Sequence, residues 1–302
     1  MQVSLLRFSI IIVFALISTH NLFPQFKLIK PLQTNSKVLV NESGHLKSYY
    51  SLQTGNSSVV LIKGPGTLKL ITRAVLKHAN EKTGYSFSYS IDGGNYTRAE
   101  FYNIVNPSGV RFHHKSSERP GIMKTTEIEL GPGDHSIEFK SGKNSPSILM
   151  RYLFKKNRSK KIKWIMLSPS PSCEPVDLVT HENVIHYYRF SEAKPLKISI
   201  NGPTVLRVMT RFENHYNMKG RINYRVQLKE NNKIIHTYLL SSIYSEVTTY
   251  RHNSKLVPGK AREFYIQVPP GRHHYTIIPL DKDKSTILAR ILFPKKHVKL
   301  EE

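Results

Sequence analysis

The chain repeats itself, and that limits its fold more than any other feature it has. Shifted by 138 positions, residues 38–73 lie on residues 176–211 without a gap, and residues 120–139 lie on 258–277 at the same shift. Tyr49-Tyr50 falls on Tyr187-Tyr188, the Gly64-Pro65 pair on Gly202-Pro203, and Leu68, Thr72 and Arg73 on Leu206, Thr210 and Arg211. Pro132-Gly133 and His135 fall on Pro270-Gly271 and His273. After one inserted residue, Ile148-Leu149, Arg151 and Leu153-Phe154 meet Ile287-Leu288, Arg290 and Leu292-Phe293. A repeat of this length is a whole domain and not a solenoid unit, so the chain reads as two similar domains in tandem.

Alternation of apolar and polar residues sets the fold class. Thr67-Leu68-Lys69-Leu70-Ile71-Thr72-Arg73 and Tyr85-Ser86-Phe87-Ser88-Tyr89-Ser90-Ile91 have the period of two that one buried face requires, and the second opens into Asp92-Gly93-Gly94, a hairpin turn. Thr126 to Leu130 and His135 to Phe139 flank Gly131-Pro132-Gly133-Asp134 and read as a second hairpin, with Phe264 to Val268 and His273 to Ile278 as its counterpart. The last strand of each copy, residues 148–154 and 287–293, is apolar on both faces apart from one arginine and should lie centrally. No segment carries a capped helical stripe; residues 73–82 are the one stretch where a short helix could hide. The expectation is an all-β chain of two tandem, internally duplicated antiparallel β-sandwich domains, immunoglobulin-like or jelly-roll-like.

The segments divide as a signal peptide or N-terminal anchor over 1–22, a tether over 23–36, the first sandwich over 37–156, a basic and Pro/Ser-rich linker over 157–174, and the second sandwich with a short basic tail over 175–302. Arg7 followed by the mostly apolar residues 8–17 has the form of an export signal and is too short for a comfortable membrane span. The protein is therefore expected in the periplasm or outside the cell, with retention by an uncleaved anchor as the alternative. The one cysteine, Cys173, cannot staple its own chain, so both domains must stand on their cores.

Net charge is +24, and both halves carry it: residues 26–166 hold 23 basic against 9 acidic residues, and residues 167–302 hold 21 against 12. Such a surface attracts polyanions and anionic membranes, or simply keeps the protein soluble. Residues 151–163 contain seven basic residues and no acidic one, with Tyr152, Phe154 and Trp164 nearby. Within this run Lys155, Lys156, Arg158, Lys160, Lys161 and Lys163 are candidates to grip a polyanion by counterion release. In the strands ending at Arg73 and Arg211, Lys69 and Arg73, and Arg207 and Arg211, alternate with the leucine side. If the leucines face the core, these four cations are further candidates for anion contacts, the alternative being pairing with a Glu on the same sheet.

Catalytic and metal signatures are near misses. His181-Glu182-Asn183-Val184-Ile185-His186 spaces its histidines five apart where a zinc helix needs four, and a strand would turn them to opposite faces. Asp281, Asp283 and Ser285 open like a calcium loop, but Thr286 stands where Gly is needed and Leu292 where a bidentate Glu is needed. His135 and His273 follow a Pro-Gly pair in both copies and read as imidazoles closing a turn by bonding a carbonyl. No nucleophile elbow is present. The reading is an exported, non-enzymatic binding or assembly module of the cell envelope, with no metal or cofactor. Its expected partner is an anionic envelope polymer, lipid headgroups or an envelope protein, and no nucleic acid in vivo. The alternatives are a neutral-glycan-binding accessory protein and an envelope enzyme whose catalytic groups converge from separate loops.

Overall fold

The computed structural model describes residues 25–32, 36–157, 162–169, 173–215, 220–281 and 286–295, and its regular elements are β-strands. The first domain contains β1 (Lys27–Ile29), β2 (Lys37–Glu42), β3 (His45–Leu52), β4 (Ser57–Leu76), β5 (Thr83–Ile91), β6 (Thr97–Ile104), β7 (Val110–Phe112), β8 (Arg119–Pro120), β9 (Lys124–Ser141) and β10 (Ile148–Lys156). The second contains β11 (Trp164–Leu167), β12 (Glu174–Thr180), β13 (Asn183–Phe190), β14 (Leu196–His215), β15 (Ile222–Glu230), β16 (Lys233–Ser242), β17 (Thr248–Tyr250), β18 (Leu256–Pro258), β19 (Arg262–Pro279) and β20 (Ile287–Pro294). Strand order is β6-β5-β9-β4-β10-β3-β2-β7 in the first and β16-β15-β19-β14-β20-β13-β12-β17 in the second, so the duplication extends to topology. All pairings are antiparallel, and β10 and β20 lie centrally, each between two neighbours, as their two apolar faces require.

The expected second hairpin is instead one strand. β9 runs without interruption through Gly131-Pro132-Gly133, and β4 runs alongside it through Gly64-Pro65, with a register shift between Gly64 and Gly66. Two long strands bend together, so the Gly-Pro pairs mark a bend within strands and not a turn between them. The bend brings the backbones close: a Cβ on Gly64 would stand 2.0 Å from the Gly131 carbonyl oxygen, and one on Gly202 would stand 1.7 Å from that of Pro269. Only glycine fits at either place.

Because β4 and β9 bend, each contributes to both layers of the sandwich. The halves 57–63 and 134–140 lie with β5 and β6; the halves 67–76 and 124–130 lie with β10 and β3. Between the layers Phe139 packs on Tyr152 with ring centroids 5.3 Å apart, the Tyr152 hydroxyl donates to Ser58 at 2.8 Å, and Thr72 and Tyr85 share a hydrogen bond of 2.7 Å. Thr210 and Tyr224 repeat that last bond at 2.9 Å in the second core. Buried hydroxyls thus meet partners on the facing layer and fix how the layers sit together. The tether and the linker each contribute a strand: β1 pairs with β10, and β11 with β20.

Beneath the outer face of each domain lies a buried arginine. Arg73 is 4% exposed; its Nε donates to the Tyr49 hydroxyl at 3.2 Å, Nη1 to the Gly121 carbonyl at 2.7 Å and Nη2 to Glu42 Oε1 at 3.0 Å. Burial alone would raise the Glu42 carboxyl, but hydrogen bonds from Lys47 and Tyr49 and the charge of Arg73 hold it below the usual range. Arg211 repeats the bonds to Tyr187 (3.1 Å) and the Gly259 carbonyl (2.8 Å). At the position of Glu42 the second copy has Thr180; its carboxylate is Glu213, which accepts from Arg189 and from the Tyr250 hydroxyl at 2.7 Å.

The domains touch through one end of the first and one flank of the second. The Asp92 carbonyl, at the β5–β6 turn, accepts the Thr237 N–H of β16 at 3.0 Å. The bend of β9 meets β19: Asp134 Oδ2 accepts the Glu263 N–H at 2.8 Å, Arg262 stands 3.7 Å from Asp134, and Lys63 pairs with Glu263 at 3.1 Å. A Cβ on Gly93 would come within 3.2 Å of the Thr237 carbonyl oxygen, so the turn tip lies flat on β16. His135 braces this end, with Nδ1 2.7 Å from Asp92 Oδ2 and Nε2 3.0 Å from the Gly131 carbonyl.

Two predictions follow from these contacts. Arg73→Ala leaves Glu42 partly buried without its guanidinium and should lower stability by about 3–5 kcal/mol, read from urea unfolding, whereas a change at an exposed residue such as Lys115→Ala should alter it by about 1 kcal/mol or less. For His135, burial would lower the imidazole pKa, but the Asp92 carboxylate and the Gly131 carbonyl raise it above its ordinary value. A raised folded pKa stabilises fully below the unfolded value of about 6.5 and is lost as pH rises through the folded one. The stability difference between the protein and its His135→Gln variant should therefore be largest near pH 5.5 and smaller near pH 9; an equal difference at both would contradict the ion pair.

Candidate binding surfaces

The ten cations expected to meet an anion separate into three groups. Arg73 and Arg211 are buried, each bonded to a tyrosine hydroxyl and a backbone carbonyl, so they serve the fold and do not stand on the surface. Leu68 and Leu70 do face the core, but β7 and β8 and the loops beside them cover the opposite face where Arg73 lies, with Val40, Tyr49, Val110 and Leu149 forming a second small core there.

Lys69 and Arg207 stay near the surface and each has a carboxylate neighbour. Lys69 Nζ lies 3.7 Å from Glu127 and 5.8 Å from the centroid of the Phe26 ring. Arg207 donates to Glu263 through Nε at 2.8 Å and lies 5.7 Å from the Trp164 ring, which in turn packs edge-on against Tyr265. Burial would raise the Glu263 carboxyl, and Arg207 and Lys63 together hold it low.

The linker group is the most open. Lys155 is half-buried opposite Thr67, Lys156 and Lys163 are exposed, and none of the three forms an ion pair with a described residue. Lys163 adjoins β11, where its carbonyl accepts the Lys295 N–H at 2.9 Å, so cations mark both ends of the connection between domains. Arg158, Lys160 and Lys161 lie outside the described residues, as does the expected export signal over 1–22.

His135 and His273 each reach a nearby carbonyl as expected, but across a bend inside one long strand and not across a hairpin turn. His273 repeats His135, with Nδ1 against Glu230 at 2.5 Å and Nε2 3.4 Å from the Pro270 carbonyl. His181 and Glu182 form the tight turn between β12 and β13 with positive φ, and His186 pairs with Asp177 at 2.6 Å; the two histidines do not face one another. Among the described residues no group of three or more metal-ligating side chains comes together.

Two concave surfaces escape sequence reasoning. A cleft of about 570 Å³ lies along β5, β6 and the end of β9, walled by Ser86, Arg98, Glu100, Tyr102, Lys143 and Asn144, and Tyr102 is 66% exposed there. A smaller crevice of about 190 Å³ opens where the domains meet, walled by Lys63, Asp134 and His135 from the first and Arg221, Ser241 and Arg262 from the second. Its residues are distant in sequence, and only the junction assembles them.

No family profile matches the chain, and no curated protein matches it in sequence. Solved structures align over most of its length at low TM-score. The tandem CBM22-1–CBM22-2 domains of Paenibacillus barcinonensis Xyn10C align at 9% identity over 90% of this chain and 98% of that one, with a TM-score of 0.24. PNGF-II aligns at 10% identity over 89% and 66%, with a TM-score of 0.24. A Paenibacillus cycloisomaltooligosaccharide glucanotransferase aligns at 12% identity over 82% and 45%, with a TM-score of 0.26. At these scores the likeness carries no argument about ligand.

Proposed function

We propose that the chain is an exported, non-enzymatic binding module of the cell envelope that engages anionic polymers along its linker side. The observation that supports this reading is the placement of Lys155, Lys156 and Lys163 at the two ends of the interdomain connection without carboxylate partners among the described residues. Four carboxylates, Glu42, Asp134, Glu213 and Glu263, serve buried or junction contacts away from the linker, and the chain as a whole carries a net charge of +24. A repeating anionic polymer running along the connection would meet cations from both domains at once, and the contacts would add as they do in multivalent binding. Export places acidic polysaccharide or anionic headgroups within reach in preference to nucleic acid.

A second reading, a neutral-glycan module, is favoured by the cleft beside Tyr102, where an exposed aromatic ring stands among hydrogen-bonding side chains. Salt separates the two, since counterion release weakens steeply with ionic strength and ring stacking does not.

Each cation near an anionic surface contributes about 1 kcal/mol at most. Replacing Lys155, Lys156, Arg158, Lys160, Lys161 and Lys163 together by Gln should therefore cause a large, salt-sensitive loss of binding to acidic polysaccharide and to anionic liposomes, with unchanged unfolding. If parent and variant bind alike, or if neither responds to salt, the linker charge is a solvated surface and the polyanion reading fails.

A further inference from the structure

The crevice between the domains has the composition of an anion site. Its wall carries three cations, Lys63, Arg221 and Arg262, against one carboxylate, Asp134, which is already occupied by the Glu263 N–H at 2.8 Å. Lys63 shares its charge with Glu263 at 3.1 Å, so its contribution is reduced. The two guanidinium groups are held loosely. Among the described residues Arg221 makes one long bond, from Nη1 to Ser241 Oγ at 3.5 Å, Arg262 reaches Asp134 at 3.7 Å, and the buried Nε of Arg262 has no hydrogen-bond partner.

Arg73 and Arg189 are held more fully. Arg73 makes three hydrogen bonds within the first domain, and Arg189 holds Glu213 with Nε and Nη2 and Glu174 with Nη1. Among the described residues a buried guanidinium Nε lacks a hydrogen-bond partner at Arg290 and at Arg262, and that of Arg262 stands on the wall of this crevice, where an orphaned buried donor calls for an explanation. At about 190 Å³ the crevice is too small for a polymer segment and large enough for one compact group entering from solvent.

We propose that this interdomain crevice binds a tetrahedral oxoanion, sulfate or phosphate, held by Arg221 and Arg262 of the second domain with Lys63 of the first. Guanidinium forks suit such oxygens, and donors on two domains tie the ligand to the junction. An occupied crevice therefore resists separation of the domains. The site is distinct from the linker cluster and does not depend on whether that cluster grips a polymer.

The test is thermal unfolding of the full chain in sodium sulfate, sodium phosphate and sodium chloride at matched ionic strength, repeated with dextran sulfate and with the Arg221→Gln and Arg221→Glu variants. Arg221 is exposed and bonds only Ser241 among the described residues, so both variants should fold. Inorganic oxoanions at ten times their Kd should raise the Tm of the parent by roughly 2 °C or more beyond chloride, and the excess should shrink in Arg221→Gln and vanish in Arg221→Glu. A greater rise with dextran sulfate than with free sulfate would place the group on a polymer; an equal rise would make the free ion the ligand. The six-site linker variant should keep the response to inorganic sulfate. No oxoanion-specific rise in the parent, or the same rise in both Arg221 variants, would overturn the proposal.

Discussion

Asp134 is where two domains become one body. Its carboxylate accepts a backbone N–H from β19 and faces Arg262, and it sits on the bend of β9, where two long strands turn together. Carboxylate to backbone N–H is a charge-assisted hydrogen bond, stronger than a neutral one and directional. With Lys63 on Glu263 and the Asp92 carbonyl on Thr237, it fixes position by several short contacts spread over the end of the domain. The crevice exists only because this junction holds.

Both copies have the bend that the junction uses, but the charges that complete it differ between them. The end of the second domain has the same bend and the same braced histidine, yet Arg272 stands at the place of Asp134, Asn201 at that of Lys63, and Asn231-Asn232 at that of Gly93-Gly94. On the receiving flank, the first domain has Lys124 and Thr125 where the second has Arg262 and Glu263. A head-to-tail contact between copies of the chain would oppose Arg272 to Lys124 and push asparagine side chains into the space that Gly93 leaves flat. Heterologous contacts of this kind would otherwise extend into open arrays.

The features legible in the sequence were those that repeat locally. Period-two alternation identified β4 and β5, apolar character on both faces identified β10 and β20 as central, and the constant offset implied one topology used twice. Gly131-Pro132-Gly133 misled because local composition cannot distinguish a turn that reverses the chain from a bend that carries it into the other layer; the difference lies in Gly64-Pro65, about seventy residues away, bending alongside. Arg73 misled for a related reason. Alternation put it opposite the leucines, on a face that in an isolated strand would be solvent, and only the cover of β7 and β8 makes it interior. The crevice had no sequence signal, since Lys63, Asp134, Arg221 and Arg262 come from four strands or their flanks in two domains.

The central claim is that the two domains form one rigid body and not two beads on a linker. Residual dipolar couplings of backbone amides, measured on the full chain in a weakly aligning medium, test it most directly by giving an alignment tensor for each domain separately. A rigid junction predicts tensors of the same magnitude and rhombicity whose axes coincide when the domains are placed as found here. Tensors of different magnitude, or axes that agree only after one domain is rotated, would contradict the junction and remove the crevice with it.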